Sequence, residues 1–192
     1  MGRISGNKFS IGSYDEPVIM GSNDGARIVM LHGDVTEYSI AATIMQLIAY
    51  ANMNNKKPIT LVISTYGGSV DEMFSLYDVI KFLPCPVHTL ALGKVMSAGV
   101  LLLASGKKGH RTIGSNARIM IHAISGGVGG NVLEILNQSD EIKRMQEQMT
   151  KTILAETKFT EKELSDIMNS KGDVYITPEQ AVKFGIVDQI IK

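Results

Sequence analysis

The sequence has 192 residues, of which 44% are hydrophobic and 20% charged, and its 19 basic and 19 acidic side chains give zero net charge. These proportions are ordinary for a globular protein, and the length is enough for one well-filled domain. Balanced charge without a basic stripe argues against a nucleic-acid partner, and no apolar run is long enough to span a membrane. The N-terminal residues lack the apolar segment of a secretory signal, and Cys85 is the only cysteine, so we expect a soluble, cytoplasmic protein without disulfides.

Strand and helix patterns alternate along the chain after an irregular N-terminal arm, residues 1–25, which is rich in Gly, Ser, Asn and Asp. Strands are predicted at residues 27–31, 59–64, 87–92, 110–113 and 118–122. Helices are predicted to open at Thr36, after Gly68 and near Ser97. This spacing is typical of repeated βαβ units, so the sequence indicates an α/β fold with a largely parallel sheet.

A long helix is predicted from about residue 132 to 156, after a glycine-rich segment at 125–131. Its apolar residues recur every seven positions and form a wide stripe, which favours packing either on another subunit or on the body of the same domain. A helix at 160–169 follows, and then a strand, a helix and a closing strand. We interpret residues 26–192 as a single domain.

The stretch GKVMSAGVLLLASG, residues 93–106, places the hydroxyl of Ser97 directly before an apolar run. A serine becomes a nucleophile only when a base takes its proton and a third group orients that base. Position 95 is Val, so the G-x-S-x-G hydrolase motif is not met. We therefore expect Ser97 at a helix N-terminus after an ordinary strand and loop, where free N–H groups could hold an oxyanion.

Four histidines are available as the base. His122 is the best candidate because it closes the strand RIMIH, and ligands and catalytic groups gather at strand ends in parallel sheets. The other three suit structural or surface roles, with His88 inside a strand and His110 in a solvated turn. Gly67 and Gly68 offer further backbone N–H groups at a neighbouring strand end, although alone they are typical of a simple strand-to-helix turn.

Four segments together resemble the proteolytic subunit of the Clp protease. They are TYGGSV (65–70), GKVMSAGVLLLASG (93–106), RIMIHAISGGVGG (118–130) and GDVYITPEQAVKFGIVD (172–188). The resemblance runs from about residue 27 to 192 and implies an α/β fold of the Clp protease and crotonase type, with the long helix as a protruding handle. It also implies a serine endopeptidase that cleaves unfolded proteins or peptides.

By position, the resemblance makes Ser97 the nucleophile, His122 the general base and Asp173 the acid that orients the base. The oxyanion would be held by the backbone N–H groups of Gly68 and Ala98. An extended peptide would bind by strand addition. The residues implied in that binding are Gly67, Gly68, Ser69, Val70, Ala123, Ile124 and Ser125. No metal and no other cofactor is implied.

The resemblance further implies a homo-oligomer, a ring of seven subunits or two rings interlocked by the handle helices, that encloses the active sites in a chamber. ATP would be hydrolysed by a separate AAA+ unfoldase. At the positions of the family's docking tyrosines this chain has Thr60 and Val62, while Phe82 is retained. Peptidase activity is therefore better supported by the sequence than docking of a standard unfoldase.

Three residues around the site depart from the family pattern. Tyr66 replaces the usual proline before the glycines, Ala98 replaces the methionine after the nucleophile, and Met96 stands where a small residue is common. These changes keep open an alternative function, a catalytically weak or inactive ring subunit that scaffolds the complex or binds peptides. A third reading is a crotonase-type protein that binds acyl-CoA, which shares the layered core but does not need this order of Ser, His and Asp.

Overall fold

Seven strands and six helices follow one another along residues 25–191, which are the residues that the computed structural model describes. The predicted N-terminal arm lies outside them, apart from Gly25. The strands are β1 Ile28–His32, β2 Ile59–Thr65, β3 Val87–Met96, β4 Arg111–Gly114, β5 Arg118–Ile121, β6 Val174–Ile176 and β7 Gln189–Ile191. The helices are α1 Glu37–Met53, α2 Val70–Phe82, α3 Ala98–Ala104, α4 Val132–Glu156, α5 Glu161–Met168 and α6 Pro178–Lys183.

The strands form a sheet in the order β1-β2-β3-β4-β7, and β5 lies beside the second half of β3. Every pair on the path from β1 to β7 is parallel, as is β3 with β5, while β6 runs antiparallel to β5. The predicted α/β fold with a largely parallel sheet is therefore confirmed. Buried residues of α1 and α2, such as Leu47 and Met73, belong to the same hydrophobic core as the strands, and all seven residues of α3 are buried.

Strand β3 is longer than predicted, because it continues past residue 92 through a bulge. The register passes from Ile63 opposite Ala91 to Thr65 opposite Val95, so a step of two residues on β2 faces a step of four on β3. Gly93, at φ +67°, supplies the left-handed backbone that such a bulge favours. Beyond the bulge, β3 leaves β4 and pairs with β5.

Helix α4 is packed at one end and uncovered at the other. Met149 and Ile153 in its C-terminal half are buried in the core. In the first turns, the side chains of Val132 and Leu133 are each 72% exposed and that of Leu136 is 56% exposed. Of the two predicted packing partners, the domain body covers the C-terminal half, and nothing within residues 25–191 covers the N-terminal apolar face.

Arg111 ties the C-terminal part of the chain to the core. Its side chain is only 3–4% exposed and donates through Nε and NH2 to both carboxylate oxygens of Asp188, at 3.0 and 2.7 Å. It also donates to the carbonyl oxygens of Ala104 and Glu156, at the ends of α3 and α4. Partial burial favours a higher pKa for Asp188, but the hydrogen bonds and charge of Arg111, with the Gly109 N–H, outweigh it and hold that pKa below its usual value.

We expect Asp188→Asn to lower the free energy of unfolding by about 3 kcal/mol, because it leaves the guanidinium of Arg111 buried without its counter-charge. Asp140→Asn is the matched control, since Asp140 pairs with Lys143 on the surface and its side chain is 74% exposed. That variant should change stability by no more than about 0.5 kcal/mol. Denaturant titration at one protein concentration measures both, and equal effects would contradict the role of Arg111.

The same pair predicts an acid dependence of stability. Since the pKa of Asp188 is lower in the fold than in the unfolded chain, its contribution is complete above about pH 4 and is lost as the pH falls through the folded value. The unfolding free energy of the wild-type protein should therefore decrease more steeply below about pH 4 than that of Asp188→Asn.

Candidate active site

Ser97 occupies a sharp turn between β3 and α3. β3 ends at Met96 and α3 begins at Ala98, so the ordinary loop expected before Ser97 does not exist. Ser97 has φ +52° and ψ −124° and is the one non-glycine residue with positive φ within residues 25–191. Such backbone costs about 1–3 kcal/mol and persists only where the surroundings enforce it. Here the Ser97 N–H donates to the Met120 carbonyl of β5 at 2.8 Å, which holds the turn against the neighbouring strand.

Two glycines give the space for this turn. A Cβ on Gly67, whose φ is +101°, would lie 2.7 Å from the Cβ of Ser97 and 3.0 Å from the Met96 carbonyl oxygen. A Cβ on Gly99 would lie 2.5 Å from Cγ2 of Thr65. Because Gly67 and Gly99 have no side chains, β2 and the turn after it can approach the start of α3 closely. The turn forms although residue 95 is Val, where hydrolases of the G-x-S-x-G type have a glycine.

The backbone N–H groups of the two turns beside Ser97 differ in whether they are hydrogen-bonded. The Gly67 N–H donates to the hydroxyl of buried Thr65 at 2.9 Å, and the Ser69 N–H donates to the Val35 carbonyl. The N–H groups of Gly68 and Ala98 have no hydrogen-bond partner in the described part of the chain. Two donors on adjoining turns are thus available to a negatively charged oxygen, and a helix N-terminus adds a favourable dipole at one of them.

His122 lies next to Ser97, with 2.8 Å between Nε2 and the serine Oγ. The antiparallel pairing of β5 with β6 places Ile121 opposite Val174, and therefore His122 opposite Asp173. The distance from Nδ1 of His122 to Oδ1 of Asp173 is 3.7 Å, which is too long for a hydrogen bond. The Asp173 side chain is 46% exposed. It therefore lies near the Ser97–His122 pair, partly in solvent, and is not hydrogen-bonded to His122.

The segment that follows His122 is tied to helix α4. The N–H of Ile124 donates to Oε1 of Gln146 at 2.7 Å, and Nε2 of Gln146 donates to the Thr150 hydroxyl. Neighbouring N–H groups of an extended chain point to opposite edges, so Ala123 and Ser125 can present their own polar groups away from α4. The sequence shows no signal for Gln146, because a single glutamine in a mixed helical stripe looks like an ordinary surface residue.

Comparison with known families decides the relationship. The sequence matches the family described as Clp protease over residues 18–192. The chain belongs to the Clp protease family. The matched region begins about nine residues before residue 27 and spans the positions of all the predicted site residues. Membership supports a peptidase function and agrees with the observed α/β fold.

Other residues considered from the sequence lie outside the Ser97–His122 pair in this Clp protease family member. The prediction that His110 is solvated is wrong, since His110 is half-buried and its ring stacks on His88 with 4.1 Å between centroids. Burial, and then the proximity of His110, lower the pKa of His88 to about 4. Cys85 is buried in the core. Ser69 caps α2, which begins at Val70.

No group of three or more His, Cys, Asp or Glu side chains between residues 25 and 191 is arranged to hold a metal ion. Among the helices of that same region, none combines the length and apolar character needed to cross a membrane.

We expect Gly67→Ala to reduce the reaction of Ser97 with a fluorophosphonate probe about 100-fold, because the new Cβ must displace the Ser97 turn. Gly129→Ala is the control, since a Cβ there meets nothing within 4 Å and its φ is not in the left-handed region. Probe labelling followed over time, with circular dichroism to check folding, measures the effect. Unchanged labelling of folded Gly67→Ala would contradict the close packing described here.

Proposed function

We propose that this protein is a serine endopeptidase that cleaves peptide bonds through an acyl-enzyme on Ser97. The observation that carries the proposal is the 2.8 Å contact between the Ser97 hydroxyl and Nε2 of His122, at a strained turn flanked by two available N–H groups. A nucleophile paired with a base beside such donors is the arrangement that acyl transfer requires.

In the proposed reaction, Oγ of Ser97 attacks the scissile carbonyl while Nε2 of His122 takes the hydroxyl proton. The carbonyl oxygen becomes an oxyanion, to which the N–H groups of Gly68 and Ala98 donate. His122 then gives its proton to the leaving amine, and the C–N bond breaks. A water molecule, deprotonated by His122, attacks the resulting ester, and Ser97 recovers its proton as the new carboxylate leaves.

Asp173 is proposed to orient His122. An acceptor at Nδ1 keeps the proton on that nitrogen, so Nε2 is left unprotonated toward Ser97 and the imidazolium that forms is stabilised. At 3.7 Å, a rotation of the half-exposed Asp173 side chain is enough to bring an oxygen within hydrogen-bond distance. Catalytic contacts that are long without substrate commonly tighten when it binds.

The substrate is proposed to be an extended peptide or unfolded protein that adds as a strand between Gly67–Val70 and Ala123–Ser125. Gln146 occupies the Ile124 N–H, which leaves the edge of this segment at Ala123 and Ser125 for the peptide backbone. Recognition through backbone hydrogen bonds does not depend on side-chain identity. This mode suits an enzyme that cleaves many sequences.

Assembly into a ring of seven subunits, or two such rings, is part of the proposal. Support comes from the uncovered apolar face in the first turns of α4, where Val132, Leu133 and Leu136 are 56–72% exposed. Exposed apolar surface of this kind is stabilised by burial against another subunit. Interlocked helices of two rings would enclose the sites and restrict entry to unfolded chains.

A separate AAA+ unfoldase would deliver such chains in the cytoplasm. Phe82, retained from the family's docking surface, is 87% exposed, whereas Val62 is nearly buried and Thr60 is half-buried. The docking partner proposed here therefore depends more on Phe82 than on the two strand positions.

The proposal predicts that a fluorophosphonate labels the native protein and not Ser97→Ala, with Ser115→Ala as the control on an exposed serine. Asp173→Asn should label on the order of 10²- to 10⁴-fold more slowly, because the histidine loses its orienting charge. Intact-mass spectrometry gives the labelled fraction, and hydrolysis of short fluorogenic peptides should follow it. Equal labelling of native protein and Ser97→Ala would overturn the assignment of the nucleophile.

An assembled protein that neither labels nor hydrolyses peptides would instead favour the alternative, a ring subunit that scaffolds the complex or binds peptides. Sedimentation of the same sample distinguishes this result from a failure to assemble.

We expect the double change Leu133→Gln and Leu136→Gln to reduce the double-ring assembly, because it removes apolar area from the uncovered face of α4. Lys151→Gln, on the exposed side of the same helix, is the control. Sedimentation velocity should show a shift toward single rings or monomers for the double variant alone. An unchanged distribution would contradict the role of this face.

A further inference from the structure

Two cationic and two aromatic side chains form a strip that crosses β3, β5 and β6 and includes the residue after β2. Nζ of Lys94 lies 4.5 Å from the ring centroid of Tyr66, and Cζ of Arg118 lies 5.2 Å from the ring centroid of Tyr175. The two tyrosines are 63% and 53% exposed, so the strip is open to solvent. We refer to Tyr66, Lys94, Arg118 and Tyr175 as the cationic strip.

The two cations of the strip are direct neighbours. Lys94 on β3 is in register with Arg118 on β5, and like charges in that position repel each other. No Asp or Glu within the described residues forms an ion pair with either cation. Between residues 25 and 191 the side chains of Lys94 and Arg118 contact only the two rings, which weaken the repulsion but leave both positive charges without a negative partner. A carboxylate bound between them would relieve it.

The strip lies on the same face of the sheet as the acid and base. Alternation along β5 places Arg118 on one face with Met120 and, one step further, His122, while Ile119 and Ile121 point into the core. Along β6 it places Tyr175 on the same face as Asp173, with Ile176 in the core. The four steps along the chain from Arg118 to His122 span about 13 Å in an extended strand. A peptide extended from the scissile bond covers that distance with about four residues.

We propose that the cationic strip is a subsite for an acidic side chain of the peptide substrate, about three or four residues from the scissile bond. The inference rests on the proposed function and adds a substrate class to it. Backbone recognition selects no sequence, so a charge-complementary subsite on the same face is where selectivity for Asp or Glu would arise. Tyr66 and Lys94 form one half of it and Arg118 and Tyr175 form the other.

The test compares matched peptides that differ only in Glu or Gln at each position from three to five residues on either side of the scissile bond. At one of these positions we expect the Glu peptide to have the higher kcat/KM, by roughly three- to tenfold, the range for one or two exposed charge pairs. The double variant Lys94→Gln and Arg118→Gln should bring the ratio of kcat/KM for the Glu peptide to that for the Gln peptide close to one. Lys162→Gln, a change on the exposed side of α5, should leave this ratio at the wild-type value. The ratio should also fall as salt is raised.

Binding to Ser97→Ala separates this inference from the proposed function. Fluorescence polarisation of the same labelled peptides on that variant should show the Glu preference without any turnover. If the wild-type protein hydrolyses both peptides equally at every position and Ser97→Ala binds them equally, the subsite is wrong and the peptidase stands. If no peptide is hydrolysed but Ser97→Ala still prefers Glu, the peptidase is wrong and the subsite stands.

The cationic strip could instead contact a second copy of the chain, and the same variants report this. Sedimentation velocity of the Lys94→Gln and Arg118→Gln double variant should match the wild-type protein if the strip serves substrate. If the double variant fails to assemble and its kcat/KM falls equally for Glu and Gln peptides, the inference is overturned and the strip belongs to a subunit interface.

Discussion

The site depends on how β3 changes its neighbour. After the bulge at Gly93, the strand leaves β4 and pairs with β5, and its last hydrogen bond runs from the Ser97 N–H to the Met120 carbonyl. This bond joins the serine to β5, the strand that His122 directly follows. The backbone at Ser97 is held in a conformation that non-glycine residues rarely adopt, so the turn exists only because the sheet on both sides of it enforces it.

The three side chains of the candidate site differ in how strongly their surroundings restrain them. Ser97 is anchored between buried elements, with Gly67 and Gly99 allowing backbone and side chains to approach it closely. His122 follows directly on β5 and makes its contact with Ser97 at 2.8 Å. Asp173 precedes a strand of only three residues, and its carboxylate is half-exposed at 3.7 Å from the imidazole. Of these three side chains, Asp173 is therefore the one that substrate or a neighbouring subunit can move most easily.

Much of the fold was predictable, because βαβ units mark the sequence locally. Buried strands such as ITLVIS and helix caps such as Thr36 carry their signals within a few residues. Three details were not predictable. The extension of β3 beyond residue 92 depends on pairing with β5, the direct turn at Ser97 depends on the same pairing, and the stacking of His110 on His88 depends on β3 and β4 being neighbours.

The alternation of strands and helices follows from local patterns in the chain, and the order of its motifs marks Ser97, His122 and Asp173 as candidates for one site. The register of β5 against β6, which places His122 opposite Asp173, and the contact of Gln146 with the segment after His122 arise only in the folded chain. Folding also brings Lys94 beside Arg118 on the face that carries His122 and Asp173. The physical reason is that patterns report which side of an element is buried, whereas register and strand neighbours arise from contacts between residues far apart in the chain.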